Sequence, residues 1–425
     1  MLQNAKKPSK IKLTLEKSEK CYMEYVKRQM EQSILEASKM FPVVMVCGQR
    51  QTGKSTMLKH LSEADRRYVT FDDDRAMNLA KNDPDLFFET YGYKLFIDEF
   101  QRVPSFLLAI KKVVDERKEK GMIWLSGSQK FVMMKNVSES LAGRVAIFDL
   151  LPLSMDEIMG IIKEPFNPNI EVLKRRIDNK KNLKEVFELI FRGGLPDIAL
   201  NNDMNRELYY SSYVNTYLER DISALEKVGK LDEFRTFLKY MASITAQELK
   251  YDSISKVVGV SAPTIKEWVT ILERSGIIYI LKPYYSSISK RLVKTPKCYF
   301  LDTGLAAYLT SWPTADTLMD GAAAGAFFET YVVGEILKGY KNTGKETHLY
   351  YYRDVDQKEI DLLMVGPDSI SPIEIKKGKN PVSSNKSFKI LEQFGLKINP
   401  GLIVCTADNL FPINRDIWYC PIGLI

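Results

Sequence analysis

The chain has 425 residues, 45% hydrophobic and 27% charged, with a formal net charge of +7. That length exceeds one ordinary domain and points to roughly three, in a globular composition without the run of about 18 apolar residues that a membrane span needs. Five scattered cysteines (Cys21, Cys47, Cys298, Cys405, Cys420) and two histidines (His60, His348) form neither a disulfide framework nor a structural zinc pattern. The first twenty residues lack the apolar centre of a signal peptide, so a cytoplasmic protein is expected, with no membrane partner. Its mild positive charge permits nucleic-acid contact without requiring it.

Residues 1–20 are polar and lysine-rich and read as a basic N-terminal arm. Met23–Lys39 is amphipathic and predicts a helix leading into the first strand. Five β-like runs follow at α/β spacing: Val43–Cys47, Tyr68–Phe71, Lys94–Asp98, Met122–Ser126 and Val145–Leu150. They predict an α/β domain over 21–153, a parallel sheet with helices on both faces. From Ser154 to Met241 the pattern is helical, interrupted at Arg192-Gly-Gly-Leu-Pro196, and reads as a helical lid over 154–241. Helix-like Ser253–Gly259 and Ser261–Ser275, then β-like Ile277–Leu281 and Cys298–Leu301, predict a winged helix over 242–305. Beyond Gly321–Gly325 come a helix to Gly339, strands Thr347–Tyr352, Glu359–Val365 and Ile370–Lys376, a helix Ser384–Phe394 and a strand Gly401–Thr406. That order, αβββαβ, defines a unit over 306–425.

Gly48-Gln49-Arg50-Gln51-Thr52-Gly53-Lys54-Ser55 fits the pattern G-x-x-x-x-G-K-[ST] and directly follows the first β-like run. In that setting glycines let backbone N–H groups turn inward, and the next helix offers its positive N-terminus to phosphate. The pattern assigns Gly48 to Thr56 to ATP, Lys54 to its β- and γ-phosphates, and Ser55 to Mg²⁺. Leu95-Phe-Ile-Asp98-Glu99 delivers two carboxylates to a strand end, Asp98 for Mg²⁺ and Glu99 to polarise the attacking water. Ser128, in Leu125-Ser126-Gly-Ser128-Gln129, is the expected γ-phosphate sensor. Arg144 is the expected arginine finger, acting within the chain or across a subunit boundary of a homo-oligomer.

In the last unit, a period of two places Glu359 with Asp361 on one face of a strand and Glu374 with Lys376 on one face of the next. Asp361 followed by Glu374-x-Lys376 has the spacing of a metal-dependent phosphodiesterase, with Asp361 and Glu374 as Mg²⁺ ligands and Lys376 acting on water. Glu329 on the preceding helix is a further ligand candidate. In the winged-helix segment, Ser261-Ala-Pro263-Thr264 opens a helix bearing Lys266, Trp268 and Arg274. Residues 274–301 contain no Asp or Glu. They interleave Arg274, Lys282, Lys290, Arg291, Lys294 and Lys297 with Tyr279, Tyr284, Tyr285 and Tyr299, as a DNA-contacting surface would.

Together with Ser140-Leu-Ala-Gly-Arg144, Leu151-Pro-Leu-Ser154, Tyr217-Leu-Glu-Arg220-Asp221, Lys297-Cys-Tyr-Phe-Leu-Asp302-Thr-Gly304-Leu305 and Phe327-Phe-Glu329, these motifs span nearly the whole chain. In that order they resemble a bacterial and archaeal family of AAA-type ATPases with a C-terminal domain of unknown function built on a PD-(D/E)XK-nuclease-like core. Gln129 departs from the hydroxyl residue more usual there. The resemblance implies ATP binding and hydrolysis. Two outputs stay open: a nucleotide-controlled winged-helix and nuclease-like module on DNA, or a non-cleaving, nucleotide-switched regulator or scaffold binding DNA or a protein.

Overall fold

Short, wholly apolar runs bounded by polar segments suit strands buried on both faces, and the first unit is built that way. In the computed structural model, which describes residues 25–128, 141–176, 178–217, 231–285, 295–354, 356–381 and 386–425, five parallel strands lie in the order β2-β3-β4-β1-β5. These are β1 Val43–Cys47, β2 Arg67–Thr70, β3 Leu95–Asp98, β4 Ile123–Gly127 and β5 Val145–Asp149. Val43, Met45 and Cys47 face a core filled by the helices Asp74–Asn82, Pro84–Tyr91 and Leu107–Arg117. Val44 and Val46 face the helices Glu31–Met40 and Lys54–Leu61 on the other side. Because β4 lies between β1 and β3, the loop after β1 and the carboxylates ending β3 emerge at one sheet edge, flanking a groove.

The helix expected from Met23 begins only at Glu31. Residues just before it are held out of helix because the Arg28 and Gln29 backbone N–H groups donate to the Glu31 and Glu157 side chains. The basic arm lies outside the described residues.

The middle of the chain carries the helices Leu183–Arg192, Pro196–Leu200, Arg206–Tyr217 and Leu231–Ser243, then β6 Gln247–Glu248, the helices Tyr251–Val258 and Ala262–Arg274, and the strands β7 Ile278–Leu281 and β8 Lys297–Phe300. These strands form an antiparallel sheet ordered β6-β8-β7. The 231–243 helix packs on 251–258, and the helices Thr303–Leu309 and Ala315–Asp320 fold back on 183–192, so packing runs across the boundaries expected at 241 and 305.

The C-terminal unit opens with the helix Ala324–Lys341. Strands β9 Leu349–Arg353, β10 Glu359–Val365 and β11 Ser369–Ile375 form an antiparallel meander. Strand β13 Gly401–Cys405 then runs parallel to β11, and β15 Ile417–Pro421 parallel to β13, with short β12 Lys397–Ile398 and β14 Phe411–Pro412 at the margins. The expected αβββαβ order is present and extended by β15. Its second helix shrinks to Lys386–Lys389 and a 3-10 turn, Ile390–Phe394. One hydrophobic core runs from Leu151 to Ile425 and is shared by the middle and C-terminal units. Among the described residues no helix is long and apolar enough to cross a membrane.

Two motifs far apart in sequence meet at Asp302. Its buried carboxylate accepts from the backbone N–H groups of Gly194 (2.7 Å), Leu195 (3.1 Å) and Leu305 (2.7 Å) and from the Tyr210 hydroxyl (2.9 Å). Gly193 has φ +86°, and a Cβ there would stand 2.4 Å from the Tyr210 hydroxyl, so Arg192-Gly-Gly-Leu-Pro196 needs glycine to close on Asp302. Replacing Asp302 by Ala strands the three backbone N–H donors, each at about 1–3 kcal/mol, while the Tyr210 hydroxyl keeps the Arg192 carbonyl as acceptor. An apparent melting temperature lowered by several degrees is expected, read by intrinsic fluorescence against wild type.

Candidate functional site

The loop after β1 has the backbone its sequence demands. Gly48 has φ +147°, and a Cβ there would lie 2.2 Å from the Leu150 carbonyl oxygen, so only glycine fits. The 54–61 helix begins at Lys54, with Gly53 at its N-cap. Lys54 donates to the carbonyl oxygens of Gly48 (3.0 Å) and Gln49 (2.7 Å), which leaves its third proton for an anion in the loop. Burial pulls its pKa down to about 8, against the opposing pull of Glu99 and Asp98.

At the neighbouring strand end, Asp98 is buried and accepts from Ser55 Oγ (2.8 Å), Tyr68 Oη (3.1 Å), the Glu99 backbone N–H (3.1 Å) and Ser126 Oγ. Burial and the Asp98 charge push the Tyr68 hydroxyl up to about 12, which keeps it a donor at neutral pH. Glu99 holds a left-handed backbone, φ +53°, a costly conformation for a non-glycine residue. Its side chain accepts from Gln101, whose amide also reaches Ser128 Oγ at 3.4 Å. Structure thus brings together Gly48 to Ser55, Asp98, Glu99 and Ser128. Thr56 is exposed on the helix, and Gln129 lies outside the described residues. The glycine cradle, the free lysine proton and the converging Ser55 and Asp98 oxygens fit a nucleotide phosphate with Mg²⁺.

Arg144 is not part of this constellation. It precedes Val145, which pairs with Val43 at the opposite end of β1 from Gly48, roughly 16 Å of strand away. Its guanidinium instead forks onto Asp115 at 2.5 and 3.1 Å. Within one chain Arg144 therefore cannot serve the loop as an arginine finger.

In the C-terminal unit Asp361 and Glu374 lie on adjacent strands, and Lys376 Nζ bridges them at 2.9 and 2.8 Å. Glu329 accepts from Lys297 Nζ (3.0 Å) and Tyr299 Oη (2.7 Å), and Lys297 also pairs with Glu359 at 2.5 Å. Burial and the Asp361 charge push both Glu329 and Glu374 well above the usual carboxylate range. Burial lowers Lys376, but Asp361 and Glu374 outweigh it and hold the ammonium above its ordinary value. No group of three or more His, Cys, Asp or Glu among the described residues is arranged to hold a metal ion. Glu329 is thus paired with Lys297, and Asp361 and Glu374 with Lys376.

Part of the basic, tyrosine-rich window is internal. Lys297, Tyr284 and Tyr299 are buried, and Trp268 is packed between Phe234 and Phe237. Lys266, Arg274 and Lys282 are exposed. Lys290, Arg291 and Lys294 lie outside the described residues, as do Arg220 and Asp221.

Sequence reading missed residues that tie the loop to its surroundings. Arg28 donates to the Thr52 carbonyl at 2.7 Å and to Glu157 at 3.0 Å. Tyr209 and Tyr213 on the 206–217 helix reach Gln51 and Gln49. Only Glu157 carries a local signal, the Ser154-x-x-Glu157 pattern of a capping box, which the structure forms.

Residues 40–159 match the family described as an AAA domain. They form an AAA-type P-loop domain. Residues 183–316 and 324–425 match two domains of unknown function, DUF8612 and DUF4143. The chain is 24% identical over 382 residues to the uncharacterized protein Rv2008c of Mycobacterium tuberculosis, covering 89% of this chain and 80% of that one. It is 22% identical over 419 residues to the uncharacterized protein MJ1637 of Methanocaldococcus jannaschii, covering 89% and 83%. A Walker-type ATPase of Pyrococcus abyssi is similar with a TM-score of 0.43 and 14% identity, over 66% of this chain and 94% of that one. RuvB of Thermotoga maritima is similar with a TM-score of 0.26 and 18% identity, over 59% and 86%. Neither structure is close enough to carry function.

In the AAA-type domain only charged Lys54 attracts phosphate. Because its pKa in the free protein is lowered to about 8, binding above that pH requires proton uptake, and affinity falls as pH rises. ATP affinity is expected to be flat below pH 7.5 and to weaken by up to about tenfold per unit above pH 8. Lys54→Arg, charged throughout, should remove the slope, and Lys54→Ala should abolish binding; fluorescent-nucleotide titration checks both.

Proposed function

We propose that this protein binds Mg²⁺–ATP at Gly48 to Thr56 and hydrolyses it, and that its nucleotide state controls a DNA-directed module formed by the middle and C-terminal units. The observation that carries this reading is the convergence of Ser55 Oγ on Asp98 beside Lys54. Bound Mg²⁺ would neutralise charge on the transferring phosphoryl group, held through Ser55 and Asp98. Loop N–H groups and the third proton of Lys54 grip the phosphates. Glu99, steadied by Gln101, orients water, with Ser128 at the γ-phosphate edge.

A winged-helix reading of the middle unit is supported by the order helix, β6, helix, helix, β7, β8 and by the antiparallel arrangement β6-β8-β7. The basic residues expected to contact DNA there, Lys290, Arg291 and Lys294, lie outside the described residues. A nuclease-like reading of 324–425 is supported by the αβββαβ order and the placement of Asp361, Glu374 and Lys376. Lys376 bridges Asp361 and Glu374, and Lys297 pairs with Glu329, internal counter-charges that favour a module that binds without cutting. Arg144 is left to act across a subunit boundary, where a homo-oligomer would bring it to a neighbour's loop. A cytoplasmic location accords with this reading.

Glu99→Gln should lower the rate of phosphate release by about 10²–10⁴-fold with ATP affinity retained; a rate within threefold of wild type would overturn Glu99's role. In the DNA arm, neutralising Lys290, Arg291 and Lys294 together should weaken binding of any sequence and reduce the slope of log K against log salt by about 2–3. No DNA loss is expected with Mg²⁺ or Mn²⁺; cleavage that Asp361→Ala abolishes would instead establish the nuclease.

A further inference from the structure

Three separate segments of the middle unit meet the phosphate loop. Pro196 opens the 196–200 helix with its Cγ 3.8 Å from where a Cβ on Gly53 would stand. The 206–217 helix sends the Tyr209 hydroxyl to Gln51 Oε1 at 3.0 Å, and the Tyr213 hydroxyl accepts from Gln49 Nε2 at 2.6 Å. Gly276, between the 262–274 helix and β7, would put a Cβ 3.5 Å from the Gln49 backbone nitrogen.

These contacts fall on the variable side chains of the loop. In a phosphate loop the backbone N–H groups hold the anion, which leaves Gln49 and Gln51 available to a neighbour. Gln49 is 2% exposed, and its Oε1 is buried without a hydrogen-bond partner among the described residues. A carboxamide held in that state is fixed by its surroundings rather than by its own satisfaction.

The helix that touches the loop also touches the rest of the middle unit. Tyr210, between the two loop-facing tyrosines, donates to Asp302, which caps the 303–309 helix. The Gly276 turn starts β7, which pairs with β8. A shift of the loop backbone therefore has two short routes into the unit, one through the 206–217 helix to Asp302 and one through Gly276 to β7.

We propose that the 206–217 helix reads the phosphate loop: Tyr209 and Tyr213 are positioning residues that couple Gln51 and Gln49 to the middle unit, so that nucleotide binding displaces this helix. This gives the 183–316 unit a function, transmission of nucleotide state, and it rests on nucleotide binding at Gly48 to Thr56.

Hydrogen exchange on the full chain, with and without Mg²⁺ and a non-hydrolysable ATP analogue, tests it. In the wild type, saturating analogue should change exchange of the 206–217 amides by about threefold or more. The Tyr209→Phe/Tyr213→Phe variant, which loses only two hydroxyls, should bind the analogue within about fivefold of wild-type affinity yet lose most of that response. An unchanged 206–217 helix in the analogue-bound wild type overturns the proposal, as does a full response in the double variant. Failure of the wild type to bind analogue at all brings down the nucleotide reading, and this proposal with it.

Discussion

Burying an arginine against a glutamate is costly unless hydrogen bonds offset it, and the contact between Arg28 and Glu157 is held by several. The Arg28 guanidinium reaches Glu157, the Thr52 carbonyl and the Leu151 carbonyl. Glu157, fully buried, also accepts from Gln29 N, Ser154 N and Asn342 Nδ2. One ion pair thereby fixes the segment before the first helix, the phosphate loop, the exit from the parallel sheet and the long C-terminal helix to each other. Glu335 and Lys338 repeat the device a turn away, bonding Met155 N and the Leu153 carbonyl. Removing one partner of such a pair costs about 3–5 kcal/mol because the other charge stays buried. Loop geometry therefore depends on a helix nearly three hundred residues later in the chain.

Charge is handled in opposite ways at the two ends of the molecule. At the phosphate loop, Lys54 meets carbonyl oxygens rather than a carboxylate, and the helix start adds positive potential, as an anion site requires. In the C-terminal sheet, Lys376 pairs with Asp361 and Glu374, and Lys297 with Glu329 and Glu359. Lys297 comes from the middle unit, so the carboxylate cluster also serves as a socket joining two parts of the chain.

Much of the architecture was legible because it rests on local rules. The run Val43–Cys47 can only be a buried strand, and Gly48 is required by a backbone that leaves no room for a side chain. Other features were invisible because they depend on contacts between distant segments. Arg192-Gly-Gly-Leu-Pro196 and Asp302 were each recognisable, but nothing local says that residues 108 apart touch. Arg144 borders the right strand but stands at its far end, since proximity to a strand in sequence does not say which end faces the ligand. Lys297, Tyr299 and Tyr284 alternate in the way a nucleic-acid surface would, yet a seam between two units shows the same pattern. Arg28, Tyr209 and Tyr213 gave no signal at all, because their partners lie in other segments.

The account turns on where the nucleotide sits. A structure determined with Mg²⁺ and a non-hydrolysable ATP analogue is the most direct measurement. It is predicted to show the phosphates wrapped by Gly48 to Ser55, the metal on Ser55 with Asp98 beside it, and Glu99 facing the γ-phosphate. Nucleotide bound at any other place, or a loop left empty under saturating analogue, would contradict it.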